Sequence, residues 1–308
     1  MNPPLDQAGF ERAIGRPLAT RAEYTRALGA ALASSTGFAA GKLGTAERMW
    51  LTYPPRIARE RGVRRRALVA ALTHRSETES GVFAPDLASL LHFCARFEAA
   101  VGDLDAIGLF DDAFSAEREI FARIRPAGLP MAFRDQEPVR DPAIPADACW
   151  LELLRGRRLV IVAPFADLLR DRARADIYEA AWASAGKRWF EPAAVASVEI
   201  PYGFDPATQR RYRSALELLD DVAGRLAALD FDVALIAAGG IAIPMAAAVK
   251  ASGRVGLSLG GHLQVMFGVH GQRWLQRRHW REEIINGAWI GVPERYRPDP
   301  GLSVEDYW

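Results

Sequence analysis

The chain is poor in cysteine and lysine, has no long apolar run and carries almost no net charge. Its 308 residues include two cysteines, Cys94 and Cys149, which are far apart and lack the spacing of metal ligands. This excludes a disulfide framework and fits a reducing compartment. No apolar run reaches the roughly 18 residues that cross a membrane, and residues 1–15 lack the apolar core of a signal peptide. We therefore expect a cytoplasmic protein without a transmembrane segment, whose membrane contact, if any, is peripheral at the inner membrane face.

The positive charge of the chain is balanced and comes almost entirely from arginine. A net charge of +1 gives no general attraction to nucleic acid, so we expect no nucleic-acid partner. The three lysines are Lys42, Lys187 and Lys250. This bias reflects either gene composition or a need for planar, bidentate phosphate contacts. Six arginines fall within residues 56–66, where they form either a solvated helix face or a contact for an acidic lipid or glycan.

Short apolar, β-branched runs alternate with helix-like runs through most of the chain. The predicted strands are residues 35–43, 105–110, 158–163, 194–200, 233–238 and 255–259. The predicted helices are residues 19–33, 56–73, 85–100, 116–125, 206–228 and 243–252. Residues 164–185 are predicted to form a turn followed by a helix, and the prolines at 54 and 55 should close the helix after the first strand. This alternation is typical of a parallel sheet covered on both faces. The sequence therefore predicts an α/β fold, with a Rossmann-like parallel sheet flanked by helices.

Three regions of different character follow from this reading. Residues 1–35 form an N-terminal helical arm, residues 36–270 the α/β domain, and residues 271–308 a C-terminal tail packing on the domain. Residues 126–147 are rich in proline and charge and suit a loop that is a hinge or a flap over a site. The apolar arm could pack on its own domain or on a second copy, which would make a homo-oligomer.

The first predicted strand ends in a turn that carries chemistry. Gly41 and Gly44 flank the strand end, Lys42 could pair with a phosphate, and Glu47 falls in the first turn of the next helix. A carboxylate there could bind a metal, accept a sugar hydroxyl or act as a base. The alternative is that Glu47 only complements the helix dipole, with Thr45 as the N-cap.

Two later strands also end in glycine pairs, at Gly239-Gly240 and at Gly260-Gly261. Such turns let a phosphate approach the backbone, although the spacing is not that of a dinucleotide fingerprint. His262 follows the second pair and could contact phosphate or move protons, or be a satisfied structural group. Further pocket candidates are Gln264, Pro164, Phe165 and Tyr202, with core packing as the alternative for the rings.

The order of these segments resembles that of bacterial glycosyltransferases with the GT-D type of fold, which occur among surface-polysaccharide and protein-glycosylation genes. The resemblance rests on the turn GTAE at 44–47, the strand ending at Pro164-Phe165, DVALIAAGG at 232–240, GLSLGGHLQ at 256–264 and EDYW at 305–308. It covers roughly residues 36–270, and the arginine- and tryptophan-rich tail gives extra support.

The resemblance implies roles for two of the turns. In that family an Asp-x-Glu turn after the first strand is thought to help bind a divalent metal and a nucleotide sugar. Here Thr45 stands at the aspartate position and Glu47 matches the glutamate. The family's Gly-His turn matches Gly261 and His262, while Gln264 belongs to a segment without the aspartate that follows in the family.

The activity implied is transfer of a sugar from a nucleotide-sugar donor, a UDP-sugar, to a glycan, lipid-linked or peptide acceptor. Glu47 and His262 are its implied catalytic residues, and Mn²⁺ or Mg²⁺ is the implied cofactor, with Glu47 as its ligand. Because threonine is a poor metal ligand, Glu47 could also act without a metal. Two other classes stay open: a non-catalytic GT-D-like binding or scaffold module, and another nucleotide- or phosphosugar-binding α/β enzyme such as an isomerase.

Overall fold

The apolar runs form one parallel sheet. A computed structural model describes residues 6–110, 114–136 and 149–298. Its strands are β1 Phe38–Lys42, β2 Ala106–Leu109, β3 Leu129–Ala132, β4 Arg158–Ala163, β5 Ala194–Glu199, β6 Val233–Ile236 and β7 Val255–Ser258, with a separate short pair of β8 Val269–His270 and β9 Ile290–Gly291. The main sheet has the order β3-β2-β1-β7-β6-β4-β5, and each neighbouring pair is parallel. The predicted fold class is confirmed.

Helices cover both faces of this sheet. They are α1 Gln7–Ile14, α2 Arg21–Ser34, α3 Thr45–Arg59, α4 Gly62–Ser80, α5 Leu87–Gly102, α6 Phe114–Ile124, α7 Phe133–Gln136, α8 Ala166–Arg172, α9 Ala175–Ala181, α10 Pro206–Arg211, α11 Ala215–Ala227, α12 Ala242–Ala251, α13 His262–Met266 and α14 Gln272–Leu275. Short 3₁₀ turns lie at Trp150–Leu154, Ala183–Ala185, Gly239–Ile241 and Glu294–Tyr296, and a π turn lies at Trp280–Ile284. In the part of the chain described here, no helix combines the length and apolar character needed to span a membrane.

Two hydrophobic cores lie on opposite faces of the sheet. The first holds buried side chains of α3, α5, α6, α11 and α12. The second holds those of α2, α8, α9 and α13, together with the tryptophans of the C-terminal segment. Trp182 makes edge contacts there with Trp280 and Trp289, at centroid distances of 6.1 and 5.3 Å. The N-terminal arm contributes to both cores, because Phe10 of α1 is buried in the first and Tyr24 of α2 in the second.

The helix after β1 differs from the prediction at its end. Pro54 and Pro55 do not close α3, which continues to Arg59, and the next helix runs from Gly62 to Ser80 instead of over residues 56–73. Pro55 cannot donate to the carbonyl of Leu51 four residues earlier. Arg123 of α6 donates to that carbonyl instead, which explains how the helix tolerates a proline in its interior.

The predicted loop 126–147 is partly regular structure. Its residues 129–136 form β3, which pairs with β2, and the short helix α7. Pro130 is compatible with a strand because β3 lies at the edge of the sheet. The N-terminal arm joins this strand, since the amide of Ala19 donates to the carbonyl of Pro130 at 2.7 Å. The remainder of the predicted flap beyond α7, residues 137–147, lies outside the described residues.

Two predicted helices are interrupted. Residues 206–228 form α10 and α11, separated around Ser214, whose side chain caps α11 by accepting from the amide of Glu217. Residues 164–185 form α8, α9 and a 3₁₀ turn. The predicted arm helix 19–33 is displaced slightly to Arg21–Ser34, because Thr20 and Glu23 form a capping box at its start.

Candidate functional site

One large cleft, of about 840 Å³, lies at the carboxyl edge of the main sheet. Its centre is the crevice between the neighbouring strands β1 and β7. Helix α3, which follows β1, packs in the first core, whereas α13, which follows β7, packs in the second. The chain thus leaves these two strands on opposite faces of the sheet, which is where parallel α/β folds bind ligands.

Most of the residues predicted from the sequence come together in this cleft. Its lining includes Lys42, Gly44, Thr45, Glu47, Pro164, Phe165, Tyr202, Gly239, Gly260, Gly261, His262 and Gln264. Gly41 and Gly240 are not among the lining residues. A side chain at Gly41 would meet Ile243, and one at Gly240 would meet Trp50 and Val82. These two glycines therefore allow helices to pack closely and do not face the cleft.

Glu47 lies at the third position of α3, where its carboxylate turns back toward the helix start. The N-cap is Gly44 and not Thr45, which is the first helical residue. A Cβ atom at Gly44 would lie 2.5 Å from Oε2 of Glu47, so the carboxylate occupies space that only glycine leaves open. Burial raises the pKa of Glu47, while hydrogen bonds from backbone amides and the charges of Lys42 and Arg48 act in the opposite direction.

Lys42 and His262 meet across the β1–β7 crevice. The Lys42 Nζ atom lies 3.3 Å from Nδ1 of His262. Because an ammonium group can only donate, Nδ1 is the acceptor and the neutral ring carries its proton on Nε2. Gly260 has φ +55°, and a Cβ atom there would lie 3.2 Å from Cε of Lys42. Glycine at 260 thus permits both the turn and the passage of the lysine side chain.

Aromatic rings hold this pair in place. The Lys42 ammonium lies 4.1 Å from the centroid of the Phe133 ring, a cation–π contact. His262 is buried between the edges of two rings, with centroid distances of 5.7 Å to Phe133 and 4.9 Å to Trp274. Phe133 also stacks on Phe110 at 4.2 Å. We did not predict Phe110 or Phe133 as site residues, and only their positions directly after β2 and β3 could have indicated them.

A buried carboxylate is connected to the Phe110–Phe133 ring pair through the backbone of Phe110. Glu117 of α6 is fully buried and accepts a hydrogen bond of 3.3 Å from the amide of Phe110. It also lies 3.7 Å from Arg48 of α3. Glu117 thereby connects the end of β2 to the helix that carries Glu47. Glu117 could not be predicted as a site residue, because nothing in its local sequence pattern distinguishes it from a surface glutamate of α6.

The C-terminal segment adds two cations to the cleft. Arg273 and Arg277 line it together with Trp274, and the Arg277 guanidinium lies 5.5 Å from the centroid of the Trp274 ring. Trp274 is buried in the second core, so the segment anchors itself through tryptophan and presents its arginines to the cleft.

Another side of the cleft is formed where the end of α4 packs against the turns that follow β5 and β6. A Cβ atom at Gly203 would collide with the carbonyl of Gly81, and one at Gly239 would lie 2.7 Å from the carbonyl of Ser80. Gly239 therefore lets the end of α4 approach β6. Tyr202, next to this junction, donates to the carbonyl of Tyr296 at 3.1 Å, and burial raises its pKa.

The described side chains do not form a set of ligands for a metal held by the protein. Within residues 6–110, 114–136 and 149–298, no three His, Cys, Asp or Glu side chains are grouped so that they could bind one ion. Glu47 is turned toward its own helix start, beside the cation of Lys42. Thr45, at the position where the resemblance implies an aspartate, is exposed. Lys42, Arg273 and Arg277 instead supply positive charge directly.

Comparison with known proteins adds little to this geometry. No family model matches the chain, and no curated protein matches it. Among solved structures, the chain is similar to the selenomethionine-substituted structure of domain of unknown function 1792 (DUF1792), at 12% identity and a TM-score of 0.45, over 93% of this chain and 95% of that one. A likeness of this degree says nothing about activity, which must be inferred from the cleft itself.

Proposed function

We propose that the protein is a glycosyltransferase that moves a sugar from a nucleotide-sugar donor, a UDP-sugar, to a glycan, lipid-linked or peptide acceptor. The observation that carries the proposal is the meeting of three cations, Lys42, Arg273 and Arg277, with the carboxylate of Glu47 in one cleft. Its volume of about 840 Å³ lies within the range of small-molecule and cofactor sites. The resemblance of the sequence motifs to GT-D glycosyltransferases points to the same activity.

The cations would act on the leaving group. Breaking the bond between sugar and nucleotide leaves negative charge on a diphosphate, and fixed cations in a partly dry cleft stabilise such charge in the transition state. Lys42 is held for this task by His262 and Phe133, so little reorganisation is needed as charge develops. Arg273 and Arg277 can each offer a planar pair of donors to phosphate oxygens.

The remaining lining would hold the base and the sugar. Aromatic faces such as those of Phe165 and Tyr202 suit stacking on a base or a sugar ring. Glu47 would accept a hydrogen bond from a sugar hydroxyl, and its raised pKa makes it a stronger base than an exposed glutamate. Although the resemblance implies Mn²⁺ or Mg²⁺, we propose that the protein's own cations stabilise the diphosphate in place of a metal ion, because the described donors do not form a metal site.

The test is ligand-dependent thermal stability with a panel of UDP-, GDP-, CMP- and dTDP-sugars, each with Mn²⁺ or with EDTA. A ligand that binds only the folded state, present at a hundred times its Kd, stabilises the fold by about 2.7 kcal/mol. We expect one nucleotide sugar to do so equally in EDTA, and Arg277→Ala to reduce the shift. Arg278→Ala is the matched control, since this neighbouring arginine is exposed and does not line the cleft. No shift with any donor would contradict the proposal.

One observation favours a second candidate, a non-catalytic GT-D-like binding module. Thr45 replaces the aspartate of the motif, and a relative that had lost catalysis could retain the nucleotide site. This candidate predicts donor binding without donor hydrolysis or transfer. Measuring release of the nucleoside diphosphate after donor binding is established separates the two, since only the transferase produces it.

A further inference from the structure

We propose that the tip of the α3–α4 hairpin docks on an anionic membrane surface. This arginine tip is residues 59–66, which comprise the end of α3, the link and the first turn of α4. Its exposed cations are Arg59, Arg61, Arg64, Arg65 and Arg66. The proposal is independent of what the cleft binds.

The tip projects from the body of the protein. Every residue from 61 to 67 is exposed, and the buried residues of α4 are Leu72 and Ser76, both past its middle. Because the helix start makes no core contact, its sequence is not constrained by packing. Five exposed arginines at such a place are therefore free to serve a contact with another molecule.

The tip carries five arginines and a single carboxylate, that of Glu60, so most of its positive charge is not offset. Arg61 donates to the carbonyls of Ala58 and Glu60, and none of the five guanidinium groups forms an ion pair with a described carboxylate. The preceding arginine, Arg56, shows the contrasting arrangement, since it is paired with Glu119 at 2.8 Å. A cluster of guanidinium groups with an excess of positive charge and no ion pair to a described carboxylate favours an anionic partner.

Two observations favour a bilayer over a nucleic acid. Val63 lies among the arginines with 73% of its surface exposed, and an apolar side chain surrounded by cations suits the boundary between headgroups and acyl chains. The chain as a whole has a net charge of only +1, so its surface outside the tip is negative on balance. A planar membrane touches the tip alone, whereas a long polyanion would also meet the negative remainder.

The hairpin also fixes how far the cleft can lie from the membrane. Helix α4 has 19 residues and ends at Ser80, which lines the cleft, so tip and cleft are separated by about 28 Å at 1.5 Å per residue. Docking therefore leaves the cleft open. If the proposed function holds, an acceptor carried by the membrane must extend over a comparable distance, as an elongated glycan on a lipid would.

The experiment is co-sedimentation of the full chain with phosphatidylcholine vesicles that contain or lack phosphatidylglycerol. We expect binding only to the anionic vesicles, weakening as salt is added. Each arginine near such a surface raises the partition coefficient about fivefold. The partition coefficient of the triple variant R64Q/R65Q/R66Q should therefore be about a hundredfold lower than that of the parent. The matched control R210Q/R211Q/R213Q makes the same charge change at exposed positions of α10 and its end and should bind like the parent.

Three outcomes would overturn the proposal. They are absence of binding to anionic vesicles at low salt, equal loss in both triple variants, and binding to RNA that depends on the tip while vesicles are ignored. Circular dichroism melts check that each variant is folded. Should the triple variant fail to fold, Val63→Asp places a carboxylate on the same exposed contact face and is expected to reduce vesicle binding by itself.

Discussion

At the scale of the residue, Glu47 combines two opposing environments. The first turn of a helix favours an ionised carboxylate, yet Glu47 is partly shielded from water. This burial is the larger effect and raises its pKa above the ordinary 4.5. A proton that binds more tightly in the folded state stabilises folding at low pH, and this contribution is lost as pH rises through the folded-state pKa. Ionised Glu47 therefore costs stability at neutral pH.

The raised pKa of Glu47 leads to a prediction for the variant Glu47→Gln. The variant should be more stable than the parent at neutral pH, and the difference should shrink as pH falls toward 4.5, the ordinary value for the carboxyl. Urea unfolding of both proteins across this pH range measures it, because every other titrating group cancels in the difference. If the unfolding free energy of the parent instead increases relative to that of the variant as pH rises, the charge of Lys42 and the helix start outweigh burial.

Most of the cleft residues could be predicted from the sequence, but the residues that reach the cleft only through tertiary contacts could not. Lys42 ends an apolar strand, Glu47 and His262 come shortly after apolar strands, and neighbouring glycines mark the turns. Phe133 follows β3, a strand hidden in a stretch rich in proline and charge. Glu117 acts through a distant backbone amide, which no local pattern records.

At the scale of the element, tertiary contacts also limit how well the sequence predicts where helices and strands begin and end. Strand β4 lies where it was predicted, at residues 158–163, because a run of buried β-branched residues has one interpretation. Helix α3 continues past Pro55, where Arg123, far along the chain, donates to the freed carbonyl of Leu51. Local signals thus gave the elements, while contacts from other helices decided where some of them end.

The contact between α4 and the turn after β5 gives a prediction at this scale. In Gly203→Ala the new methyl group would collide with the backbone carbonyl of Gly81, which cannot rotate away as a side chain would. We expect a loss of about 1–3 kcal/mol in unfolding free energy, together with weaker ligand binding, because the end of α4 lines the cleft.

Gly224→Ala is the control for this substitution. Gly224 lies inside α11, and nothing lies within 4 Å of the position its Cβ would occupy. Alanine there should stabilise the protein by about 0.5–1 kcal/mol through helix propensity. Equal effects of the two substitutions in urea unfolding would show that α4 is free to move away from the turn.

At the scale of the whole molecule, a buried cation adds to the contacts that hold the C-terminal segment against the domain. Arg172 of α8 is 9% exposed. It donates to the carbonyl of Phe267 at 2.7 Å, to that of Gly268 at 3.3 Å and to that of Ala288 at 2.6 Å. The same segment brings Arg273 and Arg277 to the cleft. The stability of the segment and the charge of the site are therefore coupled.

Arg172→Met should remove this connection while keeping most of the apolar stem. Two buried carbonyls and one partly buried carbonyl would lose a charged donor, which we expect to cost about 3 kcal/mol of unfolding free energy. Arg170→Met, on the same helix, replaces an arginine whose side chain is 40% exposed and paired with Asp167 and Asp171, and should cost less than about 1 kcal/mol. If the segment is part of one cooperative unit, both variants unfold in a single urea transition and the first simply unfolds earlier. Early proteolytic cleavage within residues 271–298, before the sheet unfolds, would instead show that the segment is a separate unit resting on the domain.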